Sequence, residues 1–185
     1  MTEVTIEITQ YCPFNCNYCS SNASETGEPL SIEVIEKFLD EIKDKEIVDI
    51  PLNIITRINI SGGEPLSHPN FYRILKKCYS ITPNVWVYTN ALSNIIFNSD
   101  ILKGINIESN TVIIPGKEHY IPDKVNRVHL LKLIKQGRAK SFDKLPEITV
   151  SRNFYDPARC DTCEHILLQA DSHIVTAPCK KEYLD

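Results

Sequence analysis

Apolar and polar residues alternate over Val4-Thr5-Ile6-Glu7-Ile8, the two-residue period of a half-buried strand, and the apolar positions are all β-branched. This strand runs directly into a cysteine-rich loop. The period then lengthens: Ile32, Ile35, Phe38, Leu39 and Ile42 fall on one face of a helix, with Ser31 as its N-cap and Leu30 and Ile35 placed for a hydrophobic staple. Arg57-Ile58-Asn59-Ile60 reads as a second strand, ended by the turn Ser61-Gly62-Gly63-Glu64-Pro65. Pro69 opens another helix, whose inner face is Phe71, Ile74, Leu75 and Cys78. Asn84 to Tyr88 is a third strand, Ile105-Asn106-Ile107 a fourth, and Val112-Ile113-Ile114 a short extra one. Val125, Val128, Leu131 and Ile134 mark a later helix closed by Gly137, and Ile148-Thr149-Val150 a last core strand.

Strands alternating with helices at this spacing predict the α/β class, with right-handed βαβ units and a mostly parallel sheet. The units are too few for a closed eightfold barrel, which takes about 250 residues. A partial (βα) barrel is expected instead: an open, curved sheet of about five to six strands. A short C-terminal cysteine-containing hairpin follows. The composition changes around Asn153 to Pro157, which divides the chain into a barrel over 1–152 and a metal-binding extension over 153–185. In such sheets the loops leaving the carboxyl ends of the strands build the site. Both the cysteine loop and the Gly-Gly-Glu-Pro turn lie at that edge.

At 185 residues with 42% apolar content, the chain suits one ordinary core, and its net charge of −4 argues against a general nucleic-acid coat. Lys117 to Lys144 is locally basic. With only Tyr120 and Phe142 interleaved, it reads as a solvated helix face rather than a nucleic-acid surface. The first residues carry acids and no apolar core, so no secretory signal is read there. No apolar run approaches the roughly 18 residues of a membrane span. A cytoplasmic protein is expected, in which the clustered cysteines among the seven are metal ligands rather than disulfides.

Cys12, Cys16 and Cys19, spaced C-x3-C-x2-C, offer three thiolates from one loop. A [4Fe–4S] cluster held for electron transfer takes four thiolates, so three leave one iron open to an outside ligand. Zinc is the alternative, although it usually closes its shell with four ligands. Gly62 and Gly63 permit close backbone approach, and Glu64 can accept hydrogen bonds from a ligand ammonium. The bland reading of that turn is an ordinary strand-to-helix connection. Cys160, Cys163 and Cys179 form a second set, with Leu167 to Ala177 as a hairpin that returns Cys179 to the first pair. An auxiliary [4Fe–4S] cluster, a structural zinc with His165, and unliganded cysteines all remain open for it. Cys78 lies on an apolar helix face and reads as a small buried hydrophobe.

The cysteine triplet with Tyr18, followed by Ser61-Gly62-Gly63-Glu64-Pro65, resembles the radical S-adenosylmethionine (radical SAM) superfamily over about residues 4 to 110. The resemblance implies a [4Fe–4S] cluster on Cys12, Cys16 and Cys19, whose open iron chelates S-adenosylmethionine. It further implies Tyr18 near the adenine, Gly62, Gly63, Glu64 and Pro65 holding the methionine ammonium, and Ser61 among the cofactor-binding residues. Thr89 and Asn90 would approach the cofactor; Ser109 and Asn110 are weaker candidates. The implied activity is reductive cleavage of S-adenosylmethionine to a 5′-deoxyadenosyl radical, which abstracts hydrogen from a peptide, protein or small metabolite. A reductant such as flavodoxin or ferredoxin is the implied partner. Residues 153–185 resemble the start of the SPASM/twitch-type extensions that hold auxiliary clusters, without their usual hairpin glycine or further cysteines. Two alternatives stand: a glycyl-radical-enzyme activase, and a non-enzymatic iron–sulfur or zinc module.

Overall fold

The computed structural model describes residues 2–17, 19, 21–44, 55–90, 108–113, 127–132 and 165–176. The chain divides into two compact units. The first comprises Met1–Asn15, Ala23–Ser93 and Pro157–Asp185; the second comprises Cys16–Asn22 and Asn94–Asp156.

The first unit is built on a five-stranded sheet: β1 (Thr2–Glu7), β2 (Ile55–Ser61), β3 (Val85–Val87), β6 (His165–Leu168) and β7 (Ile174–Thr176), in the order β3-β2-β1-β6-β7. All neighbours are parallel except β6 and β7, which form the antiparallel hairpin. The sheet is open and α/β, as expected from the alternation. Helices α1 (Ile32–Asp44) and α2 (Phe71–Tyr79) make the crossovers from β1 to β2 and from β2 to β3. Right-handed crossovers place both on one face of the sheet.

That face holds the core. Val4, Ile6, Ile58, Ile60, Ile166 and Leu168 are almost fully buried. They meet Ile35, Phe38, Leu39 and Ile42 of α1 and Phe71, Ile74, Leu75 and Cys78 of α2. The period-2 and helical patterns therefore predicted the packing faces of both layers. Ser31 caps α1 as expected, its Oγ accepting from Val34 N–H at 3.3 Å. On the outside, Arg73 grips Glu36 through Nε and Nη2 at 2.6 and 2.7 Å, and Lys77 reaches Asp40 at 2.7 Å.

The second unit contains β4 (Glu108–Ile113) and β5 (Arg127–Lys132), paired in parallel over six residues. Here the sequence reading needs correction. The stretch from Val125 to Ile134 was expected to be helical, but Arg127–Lys132 is a strand. Its apolar spacing fits a helix at only four positions, and Val128 and His129 are poor helix formers. Pairing with β4 satisfies its backbone instead. The extra strand expected at 112–114 is the end of β4, and Ser109 and Asn110 lie inside that strand, not beyond a fourth one. The expected strands at 105–107 and 148–150, and Gly137, lie outside the described residues. So does the 152/153 boundary, and the hairpin that follows it pairs with β1 as part of the main sheet.

Candidate functional site

The cysteine loop begins where β1 ends, and its base is stitched before any cysteine is reached. Gln10 N–H donates to Glu28 O at 2.9 Å, Ser24 N–H to Gln10 O at 3.1 Å, and Cys12 N–H to Ser24 O at 2.9 Å. Cys12 is buried within this base. In the second unit Cys19 N–H donates to Cys16 O at 3.2 Å, and Cys19 Sγ lies 3.4 Å from Ser21 Oγ. Cys16 and Cys19 are half-buried. All three cysteines are thiols, soft donors of the kind that iron–sulfur clusters take. Among the described residues, no three His, Cys, Asp or Glu side chains are gathered closely enough to hold a metal ion. The donor chemistry fits a cluster.

The turn after β2 is locked onto that same loop base. Gly63 N–H donates to Thr9 O at 2.6 Å and Glu64 N–H to Tyr11 O at 2.8 Å. Gly62 sits at φ +125°, a region that side chains avoid. A Cβ there would collide with the Thr9 carbonyl, and one on Gly63 with the Tyr11 carbonyl. The close approach that these glycines permit is thus made by the chain's own backbone, which holds the turn against the Thr9–Tyr11 segment leading into Cys12 at the carboxyl edge of β1 and β2.

Glu64 is buried, and its carboxyl group joins three segments. Oε1 accepts from Leu66 N–H at 3.1 Å and from the Thr89 hydroxyl at 2.7 Å; Oε2 accepts from Asn90 N–H at 3.0 Å. Three of its roughly four acceptor positions are therefore filled from within. Thr89 and Asn90, placed at the site from sequence, are brought there by this contact. Pro65 is buried and opens a 3₁₀ turn over Pro65–Ser67. His68 then braces the turn: Asn70 N–H donates to its Nδ1 at 3.0 Å, so Nε2 carries the proton and donates to Leu30 O at 2.9 Å. Nothing in the local sequence singled out His68, because its partner lies 38 residues away.

Tyr18, Cys160, Cys163 and Cys179 lie outside the described residues. Their neighbours are informative. His165, weighed as a fourth ligand of the second thiol set, directs Nε2 to Thr5 Oγ1 at 2.7 Å. Asn59 Nδ2 donates to the same oxygen at 3.2 Å, which leaves that hydroxyl one lone pair and its hydrogen for Nε2, so either imidazole tautomer satisfies the contact. Burial lowers the His165 pKa below the ordinary histidine value; nearby Glu3 opposes this and Arg57 adds to it. The strand ends matter as well. β6 starts two residues after Cys163, opposite Glu3 of β1, and β7 ends three residues before Cys179, beside Ile166. Both ends lie at the edge where β1 begins, opposite the edge where the first cysteine loop leaves.

Comparison with known proteins bears on the family and the fold. The profile of the radical SAM superfamily matches residues 6–110. The PqqA peptide cyclase of Bradyrhizobium diazoefficiens is 26% identical over 95 residues, which cover 50% of this chain and 22% of that protein. The S-adenosylmethionine-dependent nucleotide dehydratase of Selenomonas ruminantium is 28% identical over 88 residues, covering 48% and 29%. The chain thus spans less than a third of either relative. Among solved structures, BtrN in complex with AdoMet and 2-DOIA shares the fold, with a TM-score of 0.50 at 13% identity, covering 94% of this chain and 71% of that one.

Proposed function

The chain belongs to the radical SAM superfamily, and from that premise we propose that it is a radical enzyme acting on a peptide, protein or small metabolite. Cys12, Cys16 and Cys19 hold a [4Fe–4S] cluster. Ser61, Gly62, Gly63, Glu64, Pro65, Thr89 and Asn90, with Tyr18, bind S-adenosylmethionine. When bound, this pair supplies a 5′-deoxyadenosyl radical by one-electron cleavage of the sulfonium, with flavodoxin or ferredoxin as the electron donor. The chain's own task is to bind, orient and exclude water.

One observation carries the reading. The Gly62-Gly63-Glu64 turn is hydrogen-bonded to Thr9 and Tyr11, so the turn is anchored to the segment that leads into Cys12. Glu64 extends this to Thr89 and Asn90. The family match over residues 6–110, which contains both motifs, favours this reading over a zinc or electron-transfer module. No described helix is long and apolar enough to cross a membrane.

The second thiol set, in the 153–185 extension, is read as an auxiliary iron–sulfur site. Its support is the β6–β7 hairpin, whose two ends return to one sheet edge and so bring the Cys163 and Cys179 attachment points to the same side. His165 would have only Nδ1 to offer it.

Anaerobically reconstituted protein with reductant should convert S-adenosylmethionine to 5′-deoxyadenosine, and Cys16→Ala should reduce that conversion to background. Wild-type protein that neither binds nor cleaves the cofactor would return the chain to the non-enzymatic module. Iron and sulfide counts on a Cys160→Ala/Cys163→Ala variant address the second site: two clusters falling to one supports it, whereas unchanged iron with lost zinc sinks it.

A further inference from the structure

The sheet face turned away from α1 and α2 is polar, and it is not simply solvated. Along β1 it carries Glu3 and Thr5, along β2 Arg57 and Asn59, on β3 Trp86 and on β6 His165. Register places Glu3 beside both Arg57 and His165, and Asn59 beside both Thr5 and Trp86. The side chains form one connected row across four strands. Arg57 Nη2 donates to Glu3 Oε2, and its guanidinium stands 5.1 Å from the centroid of the Trp86 ring. Asn59 donates to Thr5, whose hydroxyl is in turn hydrogen-bonded to His165 Nε2.

Two features separate this row from an ordinary wet sheet face. Asn59 is only 3% exposed, in a strand where Ile58 and Ile60 flank it. Asn59 Oδ1 and Arg57 Nε are also buried without a hydrogen-bond partner. An unmatched buried amide oxygen costs about 1–3 kcal/mol, so its retention calls for a partner that the chain does not supply. One orphan is an acceptor and the other a donor, two residues apart on the same strand, roughly 7 Å. The two formal charges, Glu3 and Arg57, neutralise each other, so the row offers no spare cation to a phosphate or carboxylate. From β3 to β6 it crosses three strand gaps, about 14 Å, the width of one or two sugar-sized rings.

We propose that this row is the substrate floor and that it takes a small uncharged hydroxylated molecule, whose O–H meets Asn59 Oδ1 and whose oxygen meets Arg57 Nε. The proposal rests on the radical-enzyme reading and narrows its substrate class. The floor lies on the strands whose carboxyl ends carry the cofactor loops, two to four residues back from them.

Trp86 is the sole tryptophan of the chain, so its fluorescence reports on this row alone. Reconstituted protein with S-adenosylmethionine should show a saturable fluorescence change with glucose or myo-inositol. Glucose 6-phosphate and tetra-alanine should bind at least about tenfold more weakly, the worth of one mismatched polar group. Asn59→Ala should weaken the uncharged sugars by a similar factor. If Asn59→Ala fails to fold, Arg57→Lys keeps the charge beside Glu3 and removes the Nε donor, and should do the same. Equal binding of the phosphate or the peptide overturns the proposal, as does no saturable change with either sugar, or unchanged affinity in the variant that folds. Wild type that binds S-adenosylmethionine but neither sugar sinks the floor alone. Wild type that fails to bind S-adenosylmethionine sinks the radical-enzyme reading beneath it.

Discussion

Asn59 and Ile60 are adjacent on β2, yet they belong to opposite sides of the sheet and to different purposes. Ile60 faces α1 and α2 in a layer where Val4, Ile6, Ile58, Ile166 and Leu168 are almost fully excluded from water. Asn59 faces the other way, into the row of Thr5, Arg57, Trp86 and His165. One face is saturated with apolar contact and has no chemistry. The other holds hydrogen-bonding groups, two of them unmatched. The alternation of a strand thus separates what holds the fold from what it offers a ligand. The carboxyl edge, where the Gly62-Gly63-Glu64 turn meets the Thr9–Tyr11 backbone, joins the two.

Substituting each neighbour gives the strongest test of that separation. Ile60→Ala should remove about 2–5 kcal/mol of stability, the cost of lost burial plus the cavity left in a layer that cannot collapse. Urea denaturation would show it as a lower midpoint with an unchanged slope. Comparable losses from Ile60→Ala and Asn59→Ala would mean that both faces are structural, and the contrast would fail.

How much of this was legible in the chain depends on how far apart the cooperating residues lie. β1, α1, β2, α2 and β3 were readable because each is written in its own periodicity, and the faces of both helices followed from spacing alone. The cysteine loop and the glycine turn were readable as motifs. Their mutual contact was not, since Gly63 and Thr9 are joined only by tertiary hydrogen bonds. The pairing of β6 with β1 was hidden for the same reason: His165 and Thr5 are 160 residues apart. β5 was misread because a six-residue apolar segment fits a helix or a strand equally well, and its partner β4 decides. Glu64 was read as a ligand acceptor. That it also fastens Thr89 and Asn90 required the end of β3 to be placed.

A smaller effect is expected at the edge. Glu64→Gln keeps the shape but presents an amide N–H₂ where one carboxyl oxygen stood. Either Asn90 N–H or the Thr89 and Leu66 donors then face a donor. The cost should be about 1–3 kcal/mol, that of a buried polar group left unmatched. Hydrogen exchange at the Asn90 amide should accelerate more than exchange in the Ile58 and Ile60 amides of the core strand. Uniform acceleration across the sheet would mean that Glu64 supports the fold as a whole rather than the edge.

The smallest effect lies wholly on the apolar face and appears only in alkali. Cys78 is buried among the α2 residues that meet the sheet, and burial pushes its thiol up from 9.0 to about 12. Below pH 9 the thiol is protonated both folded and unfolded, and it adds no pH dependence. Above pH 9 the unfolded chain releases this proton while the folded chain keeps it, so stability falls as pH rises and levels off only beyond about pH 12. One unit into that window, at pH 10, the loss is about 1.4 kcal/mol. Cys78→Ala should remove this slope from a denaturation series run over about one pH unit either side of the ordinary thiol value, although the cavity lowers stability throughout. An unchanged slope would place Cys78 in contact with water and break the description of this face as a dry layer. A slope that disappears would separate it from the thiols of the cysteine loop, which belong to the edge and its chemistry.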